Sequence, residues 1–321
     1  MGMGRRTKNI IYSGVIWILA LVVLCGGLRL PQHPGFHSPQ ASESGATGKT
    51  IIRDGVAYFP RLDITVVMVL GIDRHGPVTP GDPGEAELIL LLIFDETDKT
   101  VDALQLDRDT MARMPALGDA DGEGSAAFGQ LALSHTYGSG MQDSCINVKN
   151  TLESLMHGLR IDYFISMHMD AISMLNDAVG GVTVTVTEDF SDVDPTILKG
   201  EYTLRGQQAI AYVCTRKDAS DQRDGTRMAR QQAYMESFLE AFREKNASDD
   251  AFFLQTYEQI LPYIVTDMSA SGIWERYSGY TLGSILTLAG DSVTDGANWV
   301  FCPDEDALDA LVVELFYAEK Q

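Results

Sequence analysis

Apolar residues fall into two kinds of run along this chain. Thr65–Leu70 and Leu88–Phe94 are continuous, as in strands covered on both faces, whereas Val182–Val186 alternates with threonine, as in a strand with one wet face. Val101–Leu106 is a further strand candidate, parted from its predecessor by the turn-like Asp95–Lys99. Downstream, Cys145–Leu159 predicts a helix, Tyr163–His168 a strand, and Met169–Val179 a second helix that Gly180 and Gly181 stop. Met228, Gln231, Met235, Phe238 and Phe242 trace one inward stripe on a helix that starts near Thr226. Phe252–Ile264 and Ala307–Phe316 read as amphipathic helices, and Trp299–Phe301 as a strand. The alternation of the two periods predicts an α/β fold, a mixed sheet with helices packed on it.

The first thirty residues follow a different rule. Ile10–Leu28 carries no charge over nineteen residues, close to the roughly 20 needed to span a bilayer core, and Arg5, Arg6 and Lys8 precede it. This predicts a signal-anchor transmembrane helix over residues 1–30 with its N-terminus in the cytoplasm and everything beyond it outside the cell. A cleaved signal peptide is the competing expectation. Residues 31–49, rich in Pro, Gly, Ser and Ala, form a linker, and residues 50–321 show no second composition break, which predicts one extracellular domain.

Charge then narrows the partner. The chain holds 24 basic and 45 acidic residues, and the segment 1–30 takes four of the basic ones and no acidic one. Within this acidic remainder, Arg216, Lys217, Arg223, Arg227 and Arg230 crowd into fifteen residues. Such a patch suits one specific anion, and the absence of a broad basic face argues against nucleic acid. Arg227 and Gln231 stand one turn apart at a helix start, where unpaired backbone N–H groups also favour an anion. The alternative is a solvated face on which Arg227 and Arg230 pair with Asp221 and Asp224. Other chemistries find less support: the six histidines are scattered, with only His75 near the other candidates, and no Gly-x-Ser-x-Gly elbow occurs.

Six segments, in order, carry a family resemblance: Gly71–Arg74, Leu106–Thr110, Ile161–Phe164, Asn176–Val182, Gly206–Ala209 and Asp224–Gln231. Over about residues 63–242 the chain resembles the LytR-CpsA-Psr family. The resemblance implies an α-β-α sandwich around a mixed central sheet, anchored in the cytoplasmic membrane. It also implies transfer of a glycopolymer, such as teichoic acid or capsule, from a polyprenyl-pyrophosphate lipid to peptidoglycan with formation of a phosphodiester. By the same resemblance Arg108, Arg216, Arg227, Arg230 and Gln231 contact the pyrophosphate, with Asp73, Arg108 and Arg227 catalytic. Asp73 and Glu87 would hold Mg²⁺ or Mn²⁺, while Asp109 and Asp224 would brace the clamp from behind. Guanidinium forks and a carboxylate-held cation are what a pyrophosphate leaving group requires.

Three departures accompany the match. Glu85, Gln130 and Cys214 stand where the family usually has cations. A non-catalytic or regulatory protein that binds polyprenyl phosphate or glycan is therefore the alternative function. With Cys214 in the pocket, Cys145 and Cys302 are the expected disulfide pair.

Overall fold

The computed structural model describes residues 50–319 apart from 54, 115–126, 216–224, 250, 270–279 and 296–297. The expected membrane span and linker lie outside the described residues. Among the described residues, no helix is long and apolar enough to cross a membrane.

The chain opens with β1 (Ile51–Arg53) and β2 (Val56–Pro60), then lays down β3 (Ile64–Ile72), β4 (Ala86–Asp95) and β5 (Thr100–Leu106). A hairpin of β6 (Met111–Met114) and β7 (Ala127–Gln130) leads through a 3-10 helix, Leu131–Tyr137, to α1 (Gln142–Leu155). Next come β8 (Tyr163–His168), α2 (Asp170–Ala178), β9 (Val182–Val186), β10 (Gly200–Leu204), α3 (Gln207–Cys214) and the long α4 (Gly225–Ser248). The chain closes with α5 (Phe252–Ile260), β11 (Ile264–Thr266), β12 (Thr281–Thr287), the hairpin of β13 (Gly290–Asp295) and β14 (Asn298–Pro303), α6 (Glu305–Phe316) and β15 (Tyr317–Glu319).

Six strands form the central sheet in the order β11-β8-β3-β4-β5-β12. The pairs β3–β8 and β5–β12 are parallel, and β3–β4, β4–β5 and β11–β8 are antiparallel. The continuous apolar runs are explained by burial on both faces. Val67, Val69, Leu90, Leu92 and Phe94 pack under α2, α3, α4 and α5, while Val66, Met68, Leu70, Ile89 and Leu91 pack under α1 and α6. Helices thus cover both sides of a mixed sheet, the predicted α/β architecture. The alternating Val182–Val186 pairs instead with β10 in a separate two-stranded sheet whose valines join the first of these cores.

On α4 Phe238 and Phe242 face inward as predicted, and among the described side chains Arg230, Tyr234 and Asn246 join them at a uniform spacing of four. The apolar pattern leaves out Arg230 and Asn246 because they are polar. Asp304 caps α6, accepting from Ala307 N–H at 2.9 Å, with Glu305 and Asp306 in the first turn. The expected disulfide is overturned, since Cys145, Cys214 and Cys302 are all thiols. Cys145 faces inward from α1, where burial pushes its pKa up to about 12, whereas Cys302 is exposed on β14.

The motif Asn176–Val182 has a structural explanation. Asn176 is fully buried; its Nδ2 donates to Leu204 O at 2.9 Å, and its Oδ1 accepts from Val182 N–H at 3.2 Å and Tyr234 Oη at 2.9 Å. One amide therefore ties α2, β9, β10 and α4 together. Gly181 has φ +93°, and a Cβ there would sit 2.9 Å from Leu204 O, so only glycine permits the close approach of β10. Replacing Asn176 with Ala strands three buried polar groups, and the expected loss is ~3 kcal/mol, or a melting temperature lower by about 6–12 °C. Calorimetry checks this, and a shift below about 2 °C contradicts the assignment.

Candidate functional site

Three parallel strands, β3, β5 and β8, end at one edge of the sheet, and antiparallel β4 begins there. Polar residues follow each strand end. Gly71 pairs with Leu88 but Ile72 with Ala86, so Glu87 is the extra residue of a β-bulge, a device that re-aims a side chain. Pairing then continues one step, with Asp73 N–H donating to Glu85 O at 3.0 Å. Gly84, at φ +61°, makes the turn into Glu85; a Cβ there would meet Ile72 Cγ2 at 2.7 Å.

The loop from Asp73 to Glu85 is tied down from several sides. Arg74 donates to Asp73 O at 2.7 Å and forms an ion pair with Asp82. Asp170, at the start of α2, accepts from Gly76 N–H at 2.8 Å and meets His75 Nδ1 at 2.8 Å, which lowers the pKa of its carboxyl against the opposing effect of burial. His168 and His135 reach Gly76 O and Gly84 O at 2.9 and 3.0 Å. Burial pushes the His135 pKa down, so this ring is neutral and donates from Nδ1. The bond of His75 to Asp170 makes it part of this scaffold. Asp73 itself is exposed at the mouth of the edge.

Arg108 sits at the centre of this edge with its side chain 20 % exposed. Its Nη2 donates to Glu85 Oε2 at 2.7 Å, its Nη1 pairs with Glu87, and its Nε lies 3.4 Å from Asp109 Oδ1. One guanidinium is therefore held by three carboxylates. The backbone beneath it is fixed: Thr110 Oγ1 donates to Asp107 O at 2.6 Å, Ala132 N–H to Arg108 O at 3.0 Å and Phe301 N–H to Asp109 O at 2.9 Å. Gln130 bridges Asp109 Oδ1 at 3.0 Å and Trp299 O at 2.8 Å. Two of the three departures from the family pattern, Glu85 and Gln130, thus touch the Arg108–Asp109 pair directly.

The end of α3, just ahead of the basic window, adjoins the same edge. Cys214, the third departure, ends α3 with its Sγ 3.8 Å from Met169 Sδ, just past the end of β8. Arg216 and Asp224 fall outside the described residues; Arg227 lies in the first turn of α4 and Gln231 one turn later. Arg230 is 5 % exposed: it donates to Tyr212 O at 3.1 Å, Thr215 O at 2.6 Å and Glu188 at 2.8 Å, with its guanidinium over the Phe190 ring. Arg230 is therefore buried and engaged within the fold, not on the wet face of the alternative reading. It braces the start of α4 against the end of α3 instead, and nothing in the apolar pattern singles out an inward arginine.

The sheet order, the strand-end cluster and the basic segment can now be compared with known proteins. The LytR_cpsA_psr family profile matches residues 49–316. The chain belongs to this family. It is 25 % identical over 316 residues to the polyisoprenyl-teichoic acid–peptidoglycan teichoic acid transferase TagU of Bacillus licheniformis, covering 97 % of this chain and 96 % of that one. It is 26 % identical to TagV of Bacillus subtilis, a transferase of the same description, over 91 % of this chain and 74 % of the relative. Among solved structures, B. subtilis TagV aligns with TM-score 0.59 at 22 % identity over 79 % of this chain and 96 % of that one. TagT bound to LI-WTA aligns with TM-score 0.57 at 23 % identity over 79 % and 90 %. These structures share the mixed α/β fold.

The family expectation of a divalent cation can be weighed against the donor set. Among the described residues no three His, Cys, Asp or Glu side chains form a metal cage. Mg²⁺ commonly takes only one or two carboxylates and completes its shell with water and substrate phosphate, and Asp73 and Glu87 are donors of that type. Glu87 is engaged by Arg108, so cation and guanidinium compete for it. The cage gives a direct prediction: Glu85→Gln removes one repelling charge, worth ~1 kcal/mol, and tightens binding of metal-free pyrophosphate about fivefold. Titration calorimetry at fixed ionic strength checks it; unchanged or weaker binding contradicts the cage as a brake on anion binding.

Proposed function

We propose that this protein transfers a wall glycopolymer from a polyisoprenyl-pyrophosphate carrier to peptidoglycan. The observation that carries the proposal is the gathering of Asp73, Glu85, Glu87 and Arg108 at one sheet edge, within a family whose relatives bear that transferase name. The substrate classes follow from those relatives. Residues 1–30 are proposed to anchor the domain to the outer face of the cytoplasmic membrane, where a lipid-linked donor resides.

In the proposed reaction an acceptor hydroxyl oxygen attacks the phosphorus that bears the glycan. The bond from that phosphorus to the bridging oxygen breaks, polyprenyl phosphate departs with the electron pair, and the hydroxyl proton passes to a carboxylate or to water. Arg227, Arg108 and Arg216 are assigned to the pyrophosphate oxygens, where planar donors meet charge that grows on the leaving phosphate. Gln231 is assigned a neutral contact one turn further along α4. Asp109 orients Arg108, and Arg230 fixes the helix start that presents Arg227. A divalent cation, Mg²⁺ or Mn²⁺, supplies further charge neutralisation when bound by Asp73 and Glu87.

The three-carboxylate cage around Arg108 is the one observation that favours the second function, a protein that binds the lipid-linked glycan without turning it over. The two differ in a transfer assay with labelled lipid-linked glycan and peptidoglycan fragments. Arg227→Ala should lower turnover more than donor affinity, because its contact strengthens as the leaving charge develops. Arg227→Lys should rescue only in part, since an ammonium lacks the planar fork. Asp73→Asn should shift the Mg²⁺ response to higher concentration. Donor binding by the wild-type protein without release of polyprenyl phosphate at any Mg²⁺ or Mn²⁺ level would eliminate the transferase.

A further inference from the structure

Beside Arg108 the surface changes character. Trp299 and Phe128 are 45 % and 70 % exposed. They stand on different hairpins joined at one residue: Gln130, on β7, donates to the carbonyl of Trp299 on β14 and to Asp109. Phe128 and Gln130 lie on the same side of β7, about 7 Å apart along the strand. Backbone bonds make the junction rigid, since Phe301 N–H donates to Asp109 O and β14 pairs over six residues with β13. Two exposed rings are thus held at fixed positions next to the candidate donor site.

The surrounding charge selects the occupant. Glu85, Glu87 and Asp109 lie on the inner side, and Asp291 and Asp295 are exposed on β13. These carboxylates outnumber Arg113, which stands exposed on β6 opposite Phe128, and they disfavour an anionic phospholipid headgroup or a polyphosphate. They suit a neutral saccharide, whose hydroxyls donate to carboxylates and amides while its C–H face stacks on an aromatic ring. We propose that Trp299 and Phe128, with Gln130, form the subsite for the acceptor glycan strand, a chain of N-acetylated hexosamines. This rests on the donor site assigned above and names the surface that would bring the acceptor hydroxyl to it.

The test is calorimetric binding of a hexamer of β-1,4-linked N-acetylglucosamine to the full chain in detergent micelles, with inorganic pyrophosphate and Mg²⁺ titrated separately. Wild type should bind the hexamer saturably, and Trp299→Ala and Phe128→Ala should each weaken it about tenfold. Trp299→Tyr should retain most of the affinity, and pyrophosphate binding should stay within about twofold of wild type in all three variants. No hexamer binding by wild type, or equal binding by wild type and both alanine variants, overturns the proposal. So does a parallel loss of pyrophosphate binding, which would mean that the rings act through the hairpins. If wild type ignores the hexamer but binds phosphatidylglycerol vesicles through Trp299, the surface docks on membrane and the proposal falls. Hexamer binding that depends on the rings in a protein indifferent to pyrophosphate upholds the glycan subsite and removes the donor site.

Discussion

A strand covered on both faces can present a charge only at its ends. β3, β4 and β5 are such strands, with one core beneath α2–α5 and another beneath α1 and α6. Polar chemistry is therefore confined to the sheet edges, and the strand order decides which residues share one. Because β3, β5 and β8 run in the same direction, Asp73, Arg108 and the His168–Asp170 segment emerge together, and the turn into β4 adds Glu85 and Glu87. The carboxyl ends of parallel strands are where open α/β sheets commonly bind ligands.

The edge is organised by competition for one guanidinium. Glu85, Glu87 and Asp109 hold Arg108, so an arriving anion must displace carboxylates while approaching their negative charge. A divalent cation would relieve both difficulties by engaging the same oxygens. Glu85 accounts for this difference from the usual family pattern, in which a cation at its position would add to the pull on a phosphate. The charge reversal instead adds a third carboxylate around Arg108.

Much of the fold was legible because burial on two faces imposes continuous apolar runs. The Tyr163–His168 strand matches its predicted bounds, β3, β4 and β5 extend theirs by a residue or more at one or both ends, and α2 loses one residue from each end. Less visible were the features set by tertiary contact. Nothing local in the sequence marks Arg230 as facing inward; its partners Glu188, Tyr212 and Thr215 come from other elements. Asn176 belongs to a motif that marks the family, yet its function is to satisfy backbone groups of β9 and β10, which only the fold reveals. The disulfide failed because Cys145 lies inside a core and Cys302 on the surface, a separation that thiol counting does not see. Glu85 was recognised as a charge reversal, but its bond to Arg108 depends on the hairpin-like approach of β4 to the end of β5.

In the proposed reaction the pyrophosphate of a lipid-linked donor is gripped at this edge by Arg108 once its carboxylates yield it. A crystal structure with a short-chain polyprenyl pyrophosphate and Mg²⁺ tests this most directly. The expected result is Arg108 turned from Glu85 onto a phosphate oxygen, with Arg227 on the same pyrophosphate and the cation at Asp73 and Glu87. A pyrophosphate bound elsewhere, with Arg108 still held by Glu85 and Glu87, would contradict it.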